Sequence, residues 1–393
     1  MEQKKYNFDQ IIDRHHTSCL KYDMMGCNFG REDLMPLWIA DMDFASPDFV
    51  FEALRKRMEH PVLGYTFGSD SYFEAIQQWL LKHYSITARK EELHFIPGIV
   101  AGIAFTLQAF TKENDAVLIM TPVYPPFSLL PNHGKRELRC NKLKTVSGQF
   151  AIDFEDLDKQ LKGTKVLILC NPHNPGGRVW SPEELKGIAQ LCAKHHVLVI
   201  SDEIHADLTL PPHRHTSFPT CCKEAEALSI TFMAPSKTFN IAGMASSVAY
   251  VPNPELRKAF FGYIDGYELA NGNVFAYTAA EAAFRHGEEW LRQALEYLQG
   301  NIDYAIESLH RHLPMVNVMR PQASFLLWMD FKATGLCHDE VKKRLLSDAH
   351  LALNDGTTFG GDDYACCFRM NIGCPRSVLE EALQRLYAAF SDK

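Results

Sequence analysis

The chain has no uninterrupted apolar run approaching the roughly 18–20 residues that a membrane-spanning helix needs. Its most apolar segment, residues 96–107, is broken by Pro97, Gly98 and Gly102. Its first residues, Met1-Glu2-Gln3-Lys4-Lys5-Tyr6-Asn7, lack the apolar stretch of a secretory leader, so a cytoplasmic location with reduced thiols is expected. There are 11 cysteines but no C-x-x-C pair and no H-E-x-x-H, so metal-ligand spacing is missing and no metal site is expected. The vicinal pairs Cys221-Cys222 and Cys366-Cys367 read as core or strand-filling residues. Repeats, low-complexity tracts and Gly/Ser linkers are absent. An excess of basic charge is lacking too. With 48 acidic against 40 basic side chains and a net charge of −8, the surface is not built to neutralise phosphates, and no nucleic-acid partner is expected.

What is present is a length of 393 residues with 46% hydrophobic side chains, enough for two or three structural units around a large core. Short aliphatic runs recur at 117–120, 166–169, 197–200, 230–232 and 248–251, and such runs suit strands buried on both faces. Helical patterns alternate with them. Ser181-Pro182-Glu183-Glu184 carries a capping box, and Ser71 with Glu74 and Ser377 with Glu380 read as two further helix starts. The alternation predicts an α/β unit over residues 46–285, built on a mainly parallel sheet flanked by helices. From 286 onward, a long helical pattern through Trp290, Leu291, Leu295 and Leu298 precedes strand-like runs at 325–329 and 367–371, which predicts a smaller α+β domain over 286–393. Residues 1–45 form an N-terminal arm expected to pack with that smaller domain.

In open α/β sheets, ligands collect at the carboxyl ends of strands. Three of the predicted strand ends carry unusual groups: Asn171-Pro172-His173-Asn174-Pro175-Gly176-Gly177, Ser201-Asp202-Glu203-Ile204-His205 and Ala234-Pro235-Ser236-Lys237. An amide, a carboxylate and an amine are thereby brought toward one region. These three segments, the stretch running on from Lys237 through Asn240 to Gly243, and the late segment 368–376 resemble the fold-type I pyridoxal-phosphate (PLP) enzymes of the class I/II aminotransferase superfamily, over nearly the whole chain. Leu37-Trp38-Ile39-Ala40-Asp41-Met42-Asp43-Phe44 and Gly64-Tyr65-Thr66-Phe67-Gly68 are most similar to the MalY/PatB-type C–S lyases, the cystathionine β-lyase subgroup.

That resemblance implies a large domain with a seven-stranded sheet, PLP as cofactor, and a homodimer with shared active sites. It makes Lys237 the lysine whose primary amine condenses with the cofactor aldehyde and later acts as base. Asp202 would face the ring nitrogen, Asn174 would donate to the ring's 3-oxygen, and Tyr124 would lie over the ring. His205 stands where many aminotransferases have a tyrosine. Ile99 and Val100, at a helix start, would give backbone donors to the phosphate, with hydroxyls from Ser236 and from Tyr65 of a second subunit. The arginine that many aminotransferases carry eight residues after the lysine is Ala245 here. Arg369 would clamp the substrate carboxylate in a bidentate pair, and Trp38 and Ala40 would border the substrate. The implied reaction is β-elimination from cystathionine or a cysteine S-conjugate to thiol, pyruvate and ammonia. An aminotransferase is the alternative, because it uses the same machinery.

Overall fold

The computed structural model describes residues 4–391. Its centre is a seven-stranded sheet in the spatial order Leu93–Ile96, Ser247–Tyr250, Ser229–Met233, Leu198–Asp202, Thr164–Cys170, Ala116–Thr121, Glu137–Lys142. Only Ser247–Tyr250 runs antiparallel to its neighbours. The aliphatic runs read as strands because helices cover both faces. All six residues of Ala116–Thr121 and all five of Ser229–Met233 are buried, so neither face had to be polar. Each helix repays the sheet with its own apolar side; Leu185, Ile188, Ala189 and Cys192 of Pro182–His195 are buried together.

Register aligns the strand ends. Cys170 pairs with Asp202, and Asp202 with Phe232, so three neighbouring parallel strands stop at one level. The segments bearing Asn174, His205 and Lys237 therefore leave the sheet side by side. Nearby, the helix Ile99–Phe110 crosses the sheet closely at Gly102, where a Cβ would stand 2.6 Å from the Phe232 ring. Only glycine allows that approach. Gly98 precedes the helix with φ +148, a conformation that other residues rarely adopt.

A second sheet of four strands, Asn317–Met319, Leu326–Asp330, Cys367–Asn371 and Asn354–Asp355, is antiparallel throughout. Helices Glu288–His312 and Arg376–Phe390 pack on it. The N-terminal residues lie along the same part of the molecule: the Phe8 ring meets Phe44, Tyr297 and Trp290 at 5.0, 5.4 and 5.6 Å, and Met35–Pro36 pairs in parallel with Leu351–Ala352. Among the described residues, no helix is long and apolar enough to cross a membrane.

Two helix starts differ from the sequence expectation. Asp70–Tyr84 is capped by Ser69, whose Oγ accepts from Tyr72 N at 3.1 Å, while Ser71 lies in the first turn with its hydroxyl 2.9 Å from that of Ser69. The cap falls to the serine that still has extended backbone. Arg376–Phe390 begins after Pro375 with no side-chain cap, and Ser377 sits inside it. The box at Ser181 and Glu184 forms as expected, with bonds of 3.2 and 2.7 Å.

Candidate active site

Lys237 stands in a four-residue helix, Pro235–Thr238, directly after the strand Ser229–Met233. The side chain is half-buried and Nζ donates to Ala40 O at 2.5 Å. Burial pulls its amine down from 10.5 to about 8, against the attraction of Asp41. A lysine poised near neutrality can be an amine as well as an ammonium.

Asp202 ends the neighbouring strand and is buried, and one carboxylate oxygen accepts from Ile204 N at 3.0 Å. Burial pushes its carboxyl up to about 7; the Ile204 N–H and the Lys237 charge pull the other way, while Glu203 adds to the rise. It has no salt-bridge partner among the described residues. His205, three residues on, is buried with Nδ1 unpartnered and is held at about 3 by burial and by the Lys237 and Arg369 charges, so its imidazole is neutral. Tyr124 is half-buried before the helix Pro126–His133, and its phenol is raised mainly by burial.

Arg369 lies in the strand Cys367–Asn371 and is buried. Nη1 donates to Asn174 Oδ1 at 2.9 Å; Nη2 donates to Trp38 O at 2.8 Å and Asn354 Oδ1 at 2.5 Å; buried Nε has no partner. All its acceptors are neutral, so the guanidinium has no counter-charge among the described residues. Burial lowers it to about 10. An uncompensated buried cation is costly, and a substrate carboxylate would relieve it. Because Arg369 occupies the amide oxygen of Asn174, that side chain keeps its NH2 as a donor.

The helix Ile99–Phe110 has no side-chain cap, which leaves the N–H groups of its first turn, Ile99 and Val100 among them, as donors for an anion. Ser236 is half-buried beside Lys237, and position 245 holds an alanine with φ +49. The donor set suits PLP at each end: an amine for an aldehyde, a buried carboxylate lacking a cation for a ring nitrogen, and an open helix start for a phosphate.

Tyr65 is not brought to the site of its own chain. It is fully exposed in a segment without regular structure, beside exposed Val62, Leu63 and Phe67. Trp38 and Ala40 do reach the site through their backbone carbonyls, while the Trp38 indole N–H donates to Lys21 O at 3.0 Å.

Sequence reading missed the groups that hold this arm. Lys21 is fully buried, with Nζ 2.7 Å from Asp43; Arg14 reaches Asp43 at 2.6 Å and Asp41 at 2.8 Å. Asn240 accepts from Met42 N at 2.9 Å and donates to Met42 O and Phe44 O, both at 2.8 Å. Asn371 donates to Ile39 O and Asp41 O, both at 2.6 Å. Two acids, Asp41 and Asp43, in an otherwise apolar stretch were the available signal, since buried charges require partners.

This arrangement has close counterparts. PatB of Bacillus subtilis, named a cystathionine β-lyase, is 39% identical over 98% of this chain and 100% of its own. Cystalysin from Treponema denticola, whose crystal structure contains a pyridoxal 5′-phosphate cofactor, superposes with a TM-score of 0.95 at 31% identity, covering 99% of this chain and 100% of that one. The PLP-bound C–S lyase of Staphylococcus hominis gives a TM-score of 0.92 at 32% identity, over 99% of both chains. With residues 32–386 matching the aminotransferase class I and II family as well, the chain belongs to that PLP-dependent family.

Proposed function

We propose that the protein is a PLP-dependent C–S β-lyase, acting on an L-amino acid with a thiol leaving group at Cβ, such as cystathionine or a cysteine S-conjugate. The reading is carried by the near-full-length similarity to named cystathionine β-lyases, together with a lone buried guanidinium within reach of the same site as a half-buried amine. Overall, R–S–CH2–CH(NH3+)–COO− and water give the thiol, pyruvate and ammonium.

When bound, PLP supplies an aldehyde for an amine and an electron sink for the electrons left at the substrate Cα. The chain supplies the rest. Arg369 would hold the substrate carboxylate through its buried charge and its unpartnered Nε–H, and so fix which Cα bond faces Lys237. Lys237, neutral in an appreciable fraction near pH 8, takes the Cα proton. Asp202 would place a negative charge at the ring-nitrogen end, and Asn174 would offer its NH2 at the ring's oxygen. Ile99, Val100 and Ser236 would donate at the phosphate, Tyr124 would flank the ring, and neutral His205 would add no charge. Trp38 and Ala40 border the substrate. Loss of the Cβ–S bond leaves 2-aminoacrylate, which hydrolyses to pyruvate and ammonia. The test is a single-substrate assay: cystathionine and cysteine conjugates should yield pyruvate and thiol in equal amounts without any keto acid. Turnover that requires a keto-acid acceptor would instead establish a transaminase.

The same reading includes a cytoplasmic homodimer in which Tyr65 of each subunit serves the other's phosphate. Supporting it, Phe51, Met58, Val62, Leu63, Tyr65 and Phe67 are all exposed along one stretch of chain, large apolar side chains that a second subunit would cover. Sedimentation of the active enzyme should give twice the chain mass, and a fully active monomer would refute the sharing.

A further inference from the structure

Asp207 lies outside every motif that the site uses. It occupies the single turn Ala206–Leu208, which follows Asp202 and His205. Its carboxylate is the meeting point of three elements. Oδ1 accepts from Trp79 Nε1 at 2.9 Å and from the Tyr84 hydroxyl, both on the helix Asp70–Tyr84. Oδ2 accepts from Thr238 Oγ1 at 2.8 Å. Thr238 is fully buried and adjoins Lys237. Burial and the neighbouring acid keep the Tyr84 phenol protonated far above its ordinary range, so it remains a donor. Asp207 has no salt bridge among the described residues; its charge is spread over three neutral donors.

The helix bearing Lys237 has four residues, too few to hold its own shape. Its position must come from what it touches. On one side the arm accepts from Lys237 Nζ and is tied down by Asn240. On the other, the hydroxyl of Thr238 is anchored to Asp207, whose own turn is continuous with the strand that ends in Asp202. One carboxylate thus ties the segment carrying the amine to the segment carrying the acid, with Trp79 and Tyr84 as a rigid backing.

We infer that Asp207 is a positioning residue which, through Thr238, sets where the Lys237 amine sits relative to Asp202 and the cofactor. The inference rests on Lys237 being the cofactor-linked lysine, but it does not depend on which reaction follows. A misplacement of about 1 Å costs on the order of a hundredfold in rate, so a tether that controls a fraction of that distance matters.

The test is Thr238→Val in the holoenzyme, with Thr238→Ser as its conservative partner. Valine keeps the shape and deletes the hydroxyl, while serine restores it. The charges around Lys237, namely Asp41 and Lys21 of the arm, Asp202 and Arg369, are the same in all three proteins, so a changed titration reports a changed position. In the holoenzyme the nitrogen that titrates is the one Lys237 shares with the cofactor, and a slackened segment shifts it relative to these charges. The pH midpoint of the cofactor's absorption change should therefore move by about half a unit or more in Thr238→Val, with kcat down about tenfold and KM little altered. Thr238→Ser should return both to native values. A native midpoint and native kcat in Thr238→Val would overturn the inference, as would a loss of kcat that only follows reduced cofactor content or that serine does not repair. If Lys237→Ala kept the absorption change, the error would lie in the lysine assignment and not in the tether.

Discussion

Lys237→Ala is expected to leave a folded chain that releases pyruvate from cystathionine about a thousandfold more slowly, or worse, because the residue we propose as both the acid–base group at Cα and the attachment point of the cofactor is lost. The absorption band of the lysine-linked cofactor should vanish with it. Stability should move the other way. Burial holds this amine near 8 in the folded chain against 10.5 for an ordinary lysine. A cation whose folded pKa is depressed is penalised in the native state: the penalty is complete below about pH 8 and fades as pH rises through the ordinary lysine value. At pH 7 it amounts to about 3 kcal/mol or less, and alanine removes it. The apo form of the variant should therefore melt at the same temperature as native apo-protein or higher, measured by calorimetry at pH 7. A variant that loses activity because it unfolds would contradict this account, and one that keeps normal turnover would remove Lys237 from the chemistry.

That opposition between activity and stability also shows why the site was more legible in the sequence than its supports. Lys237, Asp202, Asn174 and Arg369 are residues whose charge or hydrogen-bonding capacity is unwelcome at the ends of apolar strands, so each stood out against its surroundings. The central strands were equally plain, because a run buried on both faces admits little but aliphatic residues. Supports leave weaker marks. Asp207 sits in a single turn where an acid is ordinary, and its value comes from Trp79, Tyr84 and Thr238, which only the folded chain brings together. Lys21 has no local mark in the sequence, because the partner that lets it be wholly buried, Asp43, lies 22 residues on. Asn354, a partner of Arg369, belongs to no pattern at all. The capping serine of Asp70–Tyr84 was misplaced by two residues for a similar reason: Ser69 and Ser71 have the same chemistry, and backbone conformation alone chooses between them.

Asp202→Asn replaces a single carboxylate oxygen by an amide nitrogen and should cost nearly as much as loss of the lysine. The native carboxyl is raised to about 7, first by burial and next, in the same sense, by Glu203, with the Ile204 N–H opposing. Because its folded pKa lies above the ordinary 3.8, its ionisation is penalised in the apo-protein; the penalty grows as pH rises from about 3.8 and is complete above about 7. A protonated ring nitrogen facing it would cancel that penalty, so cofactor and protein stabilise each other through this one contact. Asparagine keeps the shape and deletes the charge. Apo-protein stability at pH 8 should be unchanged or increased, while the rise in melting temperature on cofactor binding should shrink. Removing a preorganised charge that stabilises charge developing in the transition state costs on the order of a hundred- to a thousandfold in kcat. Because Lys237 and Arg369 are untouched, substrate should still bind with nearly native KM, so the loss should fall on kcat. An Asp202→Asn enzyme with kcat within tenfold of native and the full cofactor-induced thermal shift would place the ring nitrogen elsewhere, and with it the orientation on which the roles of Asn174, Ile99 and Val100 depend.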